Sequence, residues 1–121
     1  MRVLLIGAAG AAGALSRYGV GLAVGPQRFP WATLLVNVLG SFLLGFVLTW
    51  AIGRGWTEDM TRSVTVGFIG SFTTFSTFVV DTTSLTRADR LPGAVLYVVA
   101  SIALGIAASE AGLATATRLG P

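Results

Sequence analysis

The run Gly67-Phe68-Ile69-Gly70-Ser71-Phe72-Thr73-Thr74-Phe75-Ser76-Thr77-Phe78 decides the fold. It lies mid-way along an apolar segment, where a membrane helix would ordinarily carry aliphatic side chains. Its twelve residues hold two glycines, five hydroxyls and four phenylalanines. Glycine and clustered Ser/Thr weaken a helix locally. Inside a bilayer a loosened backbone must find partners or line a cavity, and an interrupted hydrophobic segment points to an ion site. The stretch therefore reads as a membrane helix, broken at mid-membrane depth, that builds such a site. Lipid contact or helix packing accounts for the phenylalanines, but not for the hydroxyls among them.

Around this run the composition is that of a membrane protein. Of 121 residues, 54% are apolar and 11% charged, far from the globular average, and the length fits one domain. Cysteine and histidine are both absent. Disulfides, thiolate metal sites and the commonest general base are thereby excluded. The basic residues are all arginine and the net charge is +3. They are scattered along the chain and form no nucleic-acid stripe. An all-α membrane protein with four transmembrane helices is expected, in a single integral membrane domain over 1–121 with spans at about 3–24, 32–52, 61–83 and 92–114. A soluble four-helix bundle would show polar outer faces, and these segments show almost none. The apolar pattern from Val3 through Arg17 and Tyr18 to Val24 is longer than a signal-peptide core and reads as a span.

The first span is dense in glycine, and Gly21 and Gly25, four apart, are expected to let helices approach closely. Its Arg17 has two readings: a functional charge within the membrane, or an arginine snorkelling from near the helix end. In the second span Trp31 and Trp50 are separated by about 28 Å of helical rise, matching two interfacial belts. Thr33, Asn37, Ser41 and Gly45 recur every four residues and form one ridge. Asn37 needs hydrogen-bond partners in lipid, and gluing two helices together would supply them. Thr57-Glu58-Asp59 reads as a hydroxyl cap with acids in the first turn. Ser84 to Leu91 reads as a polar loop, and Pro92 suits the first turn of the last helix. There Tyr97, Ser101, Gly105 and Ser109 repeat the four-residue ridge.

Four spans place Arg2, Arg54, Arg62 and Arg118 on one side, and Arg28, Arg87 and Arg90, with Arg17 near them, on the other. Arginine bias normally fixes orientation, and here it nearly vanishes. The chain is expected to insert both ways up, so that opposite copies can pair about a two-fold axis in the membrane plane.

The sequence resembles the Fluc (CrcB-type) fluoride channels over nearly its whole length. The matching pieces are Gly10-x-x-Gly13-Ala14-x-x-Arg17-Tyr18, Thr33-Leu34-x-Val36-Asn37-x-x-Gly40-Ser41-Phe42, Gly67-Phe68-x-Gly70 through Thr73-Thr74-Phe75-Ser76-Thr77-Phe78, and Tyr97-x-x-x-Ser101. The resemblance implies an antiparallel dual-topology homodimer in the cell (inner) membrane, with two pores through which fluoride leaves passively. It implies that Phe75 and Phe78 turn ring edges, the positive part of the quadrupole, toward the anion. It makes Asn37 the pore amide donor, sets Ser76, Thr77 and Thr33 as hydroxyls near the track, and gives Tyr97 and Ser101 as polar lining. Hydroxyls and amides donate hydrogen bonds to fluoride without a fixed counter-charge that would trap it. It implies that backbone carbonyls of Gly70 and Thr73 from both subunits hold a central structural sodium ion, and that Arg17 draws anions into the aqueous vestibule.

There are departures from the family pattern. Ser71 stands where a second glycine is common and would put a side chain at the crossing point. Asp81 stands where glutamate is common. Gly105 replaces a hydroxyl found in some members. Two other functions compete. A proton-coupled small multidrug-type transporter needs a carboxylate in the first span, which here has arginine instead. A membrane assembly subunit without transport would explain the ridges but not the Gly67–Phe78 run. An enzyme is not expected, because no histidine, cysteine or close carboxylate pair is present.

Overall fold

The computed structural model describes residues 1–120, and among them there is no strand. The elements are α1 (Arg2–Val24), α2 (Trp31–Arg54), α3 (Glu58–Arg62), a π-helical segment (Ser63–Ile69), α4 (Gly70–Phe72), α5 (Phe75–Arg87) and α6 (Leu91–Leu119). Four stretches are long and apolar enough to cross a membrane: Arg2–Val24, Trp31–Arg54, Glu58–Arg87 and Leu91–Leu119.

Local chemistry sets the ends. Gly55 closes α2 at φ 64, donating its N–H to the Ala51 carbonyl. Such a left-handed cap favours glycine. Thr57 caps α3 by accepting the Met60 N–H at 3.3 Å. At the same end Arg2 pairs with Glu58 and Asp59, and Arg62 with Glu58, which ties the start of α1 to α3. Beyond Arg62 the hydroxyls of Ser63 and Thr65 bond back to the carbonyls of Asp59 and Thr61 at 2.6 and 2.8 Å. From Ser63 to Ile69 the backbone widens into the π-helical segment. After Phe72 the chain leaves the helix altogether. Thr73 sits at φ −85, ψ 160 and Thr74 at φ −152, ψ 119, both extended. Helix resumes at Phe75, with the Thr74 hydroxyl accepting the Thr77 N–H at 3.2 Å.

The expected polar loop from Ser84 to Leu91 is mostly helix. α5 continues to Arg87, because the hydroxyls of Thr83 and Thr86 bond back to the Val79 and Thr82 carbonyls at 3.0 Å each without leaving the helix. The true breaker is Asp89, at φ 56, a conformation aspartate tolerates better than most residues.

The helices pack in two close pairs, and in both a glycine meets facing backbone. Between α2 and α6, a Cβ on Gly45 would overlap the Ser109 carbonyl oxygen, and one on Gly112 would overlap the Phe42 carbonyl oxygen. Between α1 and the π-helical segment, a Cβ on Gly13 would overlap the Phe68 carbonyl oxygen, and one on Gly67 would lie 2.8 Å from the Ile6 carbonyl oxygen. Small residues allow such approach in membranes. Within the single chain Gly21 and Gly25 meet no described residue within 4 Å of a built Cβ, and Gly25 lies past the helix end at φ 69. A buried apolar cluster, Leu34, Leu85, Ala94 and Tyr97 with Phe29, Val38 and Phe78 against it, lies between α2, α5 and α6.

Candidate functional site

The two sequence ridges meet. Ser41 Oγ lies 3.7 Å from a Cβ built on Gly105, and Gly45 abuts Ser109. α2 and α6 therefore run parallel with their small and polar rows in one register. One turn back, Asn37 falls level with Ser101. In the same register, Thr33 falls level with Tyr97 a further turn back. The Tyr97 side chain is fully buried, and its hydroxyl donates to Asp81 Oδ2 at 3.1 Å. Ser101 Oγ is buried with no hydrogen-bond partner among the described residues. An orphaned hydroxyl of this kind costs about 1–3 kcal/mol unless something else binds it.

Asn37 joins this seam to the interrupted helix. Its Nδ2 donates to the Thr74 carbonyl at 2.9 Å, and its Oδ1 accepts the Thr74 N–H at 2.8 Å. The amide thus closes on both backbone groups of one extended residue, as a neighbouring strand would. One Nδ2 hydrogen is left over for another acceptor. Gly40 gives the room, since a Cβ there would overlap Thr73 Cγ2.

The same bonds release two carbonyls. In an unbroken α-helix the Thr74 N–H would bond the Gly70 carbonyl and the Thr77 N–H would bond that of Thr73. Here the first goes to Asn37 and the second to the Thr74 hydroxyl. Gly70 and Thr73 lie together in a cavity of about 300 Å³ that also takes in Asn37, Ser41, Thr65 and Phe75. No group of three His, Cys, Asp or Glu side chains is available among the described residues to hold a metal. A cation at this place would be held by carbonyl oxygens.

A second cavity, about 380 Å³, collects Arg17, Thr33, Thr74 and Thr77. Arg17 is half-buried there and makes no ion pair among the described residues. Thr74 Oγ1 donates to Thr77 Oγ1 at 3.1 Å, and Ser76 Oγ lies 3.5 Å from Thr74 Oγ1. The phenylalanines divide. Their ring centroids are 5.8 Å apart, but Phe78 packs on Tyr97 with centroids 5.2 Å apart, whereas Phe75 is 77% exposed. Within the single chain the Ser71 hydroxyl lies beside Gly10 of α1. Thr74 is the site residue that the sequence reading passed over. Its signal was present, a hydroxyl opening a new apolar helical run.

The chain is similar in sequence to named relatives along nearly its whole length. It is 50% identical to "Fluoride-specific ion channel FluC 2" of Symbiobacterium thermophilum over 93% of its own length and 95% of that protein. It is 42% identical to "Fluoride-specific ion channel FluC" of Rhizobium meliloti, covering 93% of each. With the protein of the same name from Geobacter sulfurreducens it is 38% identical over 97% of this chain and 98% of the other. Residues 4–113 match the family described as CrcB-like protein, Camphor Resistance (CrcB), and the chain belongs to that family.

Proposed function

We propose that this protein is a fluoride-selective channel of the cell membrane, through which fluoride leaves the cell passively. The observation that carries this reading is identity of 50% with a fluoride-specific ion channel along nearly all of both chains. The lining chemistry supports it. Hydroxyls of Thr33, Ser76, Thr77 and Ser101, the spare Asn37 N–H and the ring edges of Phe75 and Phe78 offer positive dipole ends to a small anion. None of them carries a full charge that would hold it. Arg17, half-buried beside Thr33 and Thr77, raises anion concentration at the entrance. Tyr97 belongs to the same lining, its hydroxyl held by Asp81.

The working form proposed is an antiparallel, dual-topology homodimer with two pores. The third span turns extended at Thr73 and Thr74, and a second copy would cover the exposed Phe75 and the cavity beside it. A structural sodium ion fits the carbonyls of Gly70 and Thr73, whose helical partners are engaged elsewhere. Two carbonyls cannot replace a cation's hydration shell. The same pair from a second copy, across a two-fold axis, would complete it.

Purified protein in liposomes with a fluoride electrode tests the channel. Fast fluoride efflux, without chloride efflux and without proton coupling, is the expected outcome. Absence of fluoride efflux, or equal chloride efflux, refutes it. A multidrug-type exchanger would need a carboxylate in α1, and α1 carries none.

A further inference from the structure

Three of the four arginines at one end are engaged by other side chains, Arg118 being the exception, whereas at the other end none makes an ion pair among the described residues. At one end Arg2 and Arg62 are paired with Glu58 and Asp59, and Arg54 lies over the Trp50 ring at 4.2 Å. At the other end Arg28 and Arg90 are exposed and make no ion pair among the described residues. They are nonetheless brought together. Arg90 Nη1 donates to the Arg28 carbonyl at 3.4 Å, which links the loop before α2 to the loop before α6.

Two cavities meet at this rim. One, about 410 Å³, takes in both arginines with Gln27, Thr33, Ser84 and Asp81, and is mixed in character. The other, about 380 Å³, is lined by Arg28, Phe29, Leu85, Arg90, Pro92 and Gly93, and is apolar apart from the two arginines. Leu91 and Pro92 carry it into a groove of about 580 Å³ along the outer face of α6, with Val95, Leu96 and Val99. Val95, Leu96 and Val99 are each more than half exposed. Trp31, 54% exposed and packed on Phe29 with ring centroids 4.6 Å apart, marks this end as the membrane interface.

A small anion would need the charges but not the apolar track below them. A hydrophobic helix would need the track but not the charges. An amphiphile with an anionic head and an acyl chain needs both, and basic pockets between membrane helices bind such headgroups. We propose that Arg28 and Arg90 head a binding site for one anionic phospholipid per protomer. Its phosphate sits on the two guanidiniums, which suit phosphate through their fixed fork of donors. Its acyl chain runs along Pro92, Val95, Leu96 and Val99. Asp81 shares the first cavity with both arginines but pairs with neither, its carboxylate taking the Tyr97 hydroxyl, and it does not line the second. The inference needs only that the chain spans a membrane, and stands apart from what the channel conducts.

Native mass spectrometry of the purified full chain, titrated with phosphatidylglycerol or with phosphatidylcholine of matched chains, tests it. Phosphatidylglycerol is expected to be retained preferentially, at one per protomer. Arg28→Gln together with Arg90→Gln is expected to weaken it about thirtyfold, while Arg118→Gln leaves it unchanged. Arg28→Lys with Arg90→Lys should restore part of the affinity. Leu96→Trp, which fills the groove and touches no charge, should also weaken it. Equal retention of the two lipids, or undiminished phosphatidylglycerol binding in the double Gln variant or in Leu96→Trp, overturns the proposal. So does a double Gln variant that keeps its lipid yet loses fluoride efflux in pure phosphatidylcholine vesicles, since the arginines would then serve anion entry.

Discussion

Replacing Asn37 with leucine, a side chain of similar size with no polar atom, removes both bonds that hold the extended Thr74. Thr74 is buried, with 8% of its surface exposed, so water cannot substitute. The Thr74 carbonyl, at the N-cap of α5, keeps the Phe78 N–H of the first helical turn, but the Thr74 N–H is left without a partner, at a cost of about 1–3 kcal/mol. The chain has one escape. The Thr74 N–H can swing back to the Gly70 carbonyl, as in a continuous helix, which recovers that bond only by turning Thr73 out of its packing against Gly40. That escape straightens the span and occupies a carbonyl that the proposed sodium ion needs. Asn37→Leu is therefore expected to lower unfolding free energy by about 1–3 kcal/mol, to abolish fluoride efflux, and to remove any stabilisation by sodium. Asn37→Asp keeps an acceptor for the Thr74 N–H and should lose less stability. Chemical unfolding in detergent, with sodium or with a large organic cation in its place, reads all of this. An Asn37→Leu protein whose stability stays within about 0.5 kcal/mol of the parent, well inside the cost of one unsatisfied group, refutes the account of the break.

Other expectations follow from the same geometry. Gly112→Ala places a methyl group against the Phe42 carbonyl and should cost about 1–3 kcal/mol through overpacking. Gly7→Ala, with nothing within 4 Å, should be neutral or stabilising by up to about 1 kcal/mol from helix propensity; thermal unfolding of the two separates them. Ser101→Ala removes a buried, partnerless hydroxyl and should leave stability unchanged or raised, while fluoride efflux falls; a loss of stability with full efflux would mean that the hydroxyl is structural. Phe75→Ile and Phe78→Ile should both reduce efflux. Only Phe78→Ile should also lower the stability of the single chain, by about 0.5–1.5 kcal/mol for its aromatic contact with Tyr97, as unfolding curves of the two variants would report.

The four membrane-length helices were legible in the sequence because hydropathy and length are local properties, and the Thr57 cap was legible for the same reason. Both polar ridges were found from their four-residue spacing. That they face each other in parallel register was not, because periodicity says which residues share a face and not what the face meets. The Thr74 contact of Asn37 was hidden for a similar reason, since it joins residues on different spans. Asparagine in an apolar segment announces a need for partners without naming them. Spacing favoured Gly21 and Gly25, yet within the single chain Gly13 and Gly67 carry the approach, because what decides the matter is a facing backbone. Hydroxyl-rich Ser84 to Arg87 looked like loop because its side chains are polar. In the helix the Thr86 hydroxyl turns inward on the Thr82 carbonyl.

The amide of Asn37 and the peptide of Thr74 belong to one polypeptide, so the bend they secure does not wait for a second molecule. A freshly inserted copy already carries the shape that its mate must fit. Assembly of the proposed dimer is then an encounter of two preformed surfaces diffusing in the bilayer, with no rod to unwind at the moment of contact, and its speed is set by how often opposite orientations collide.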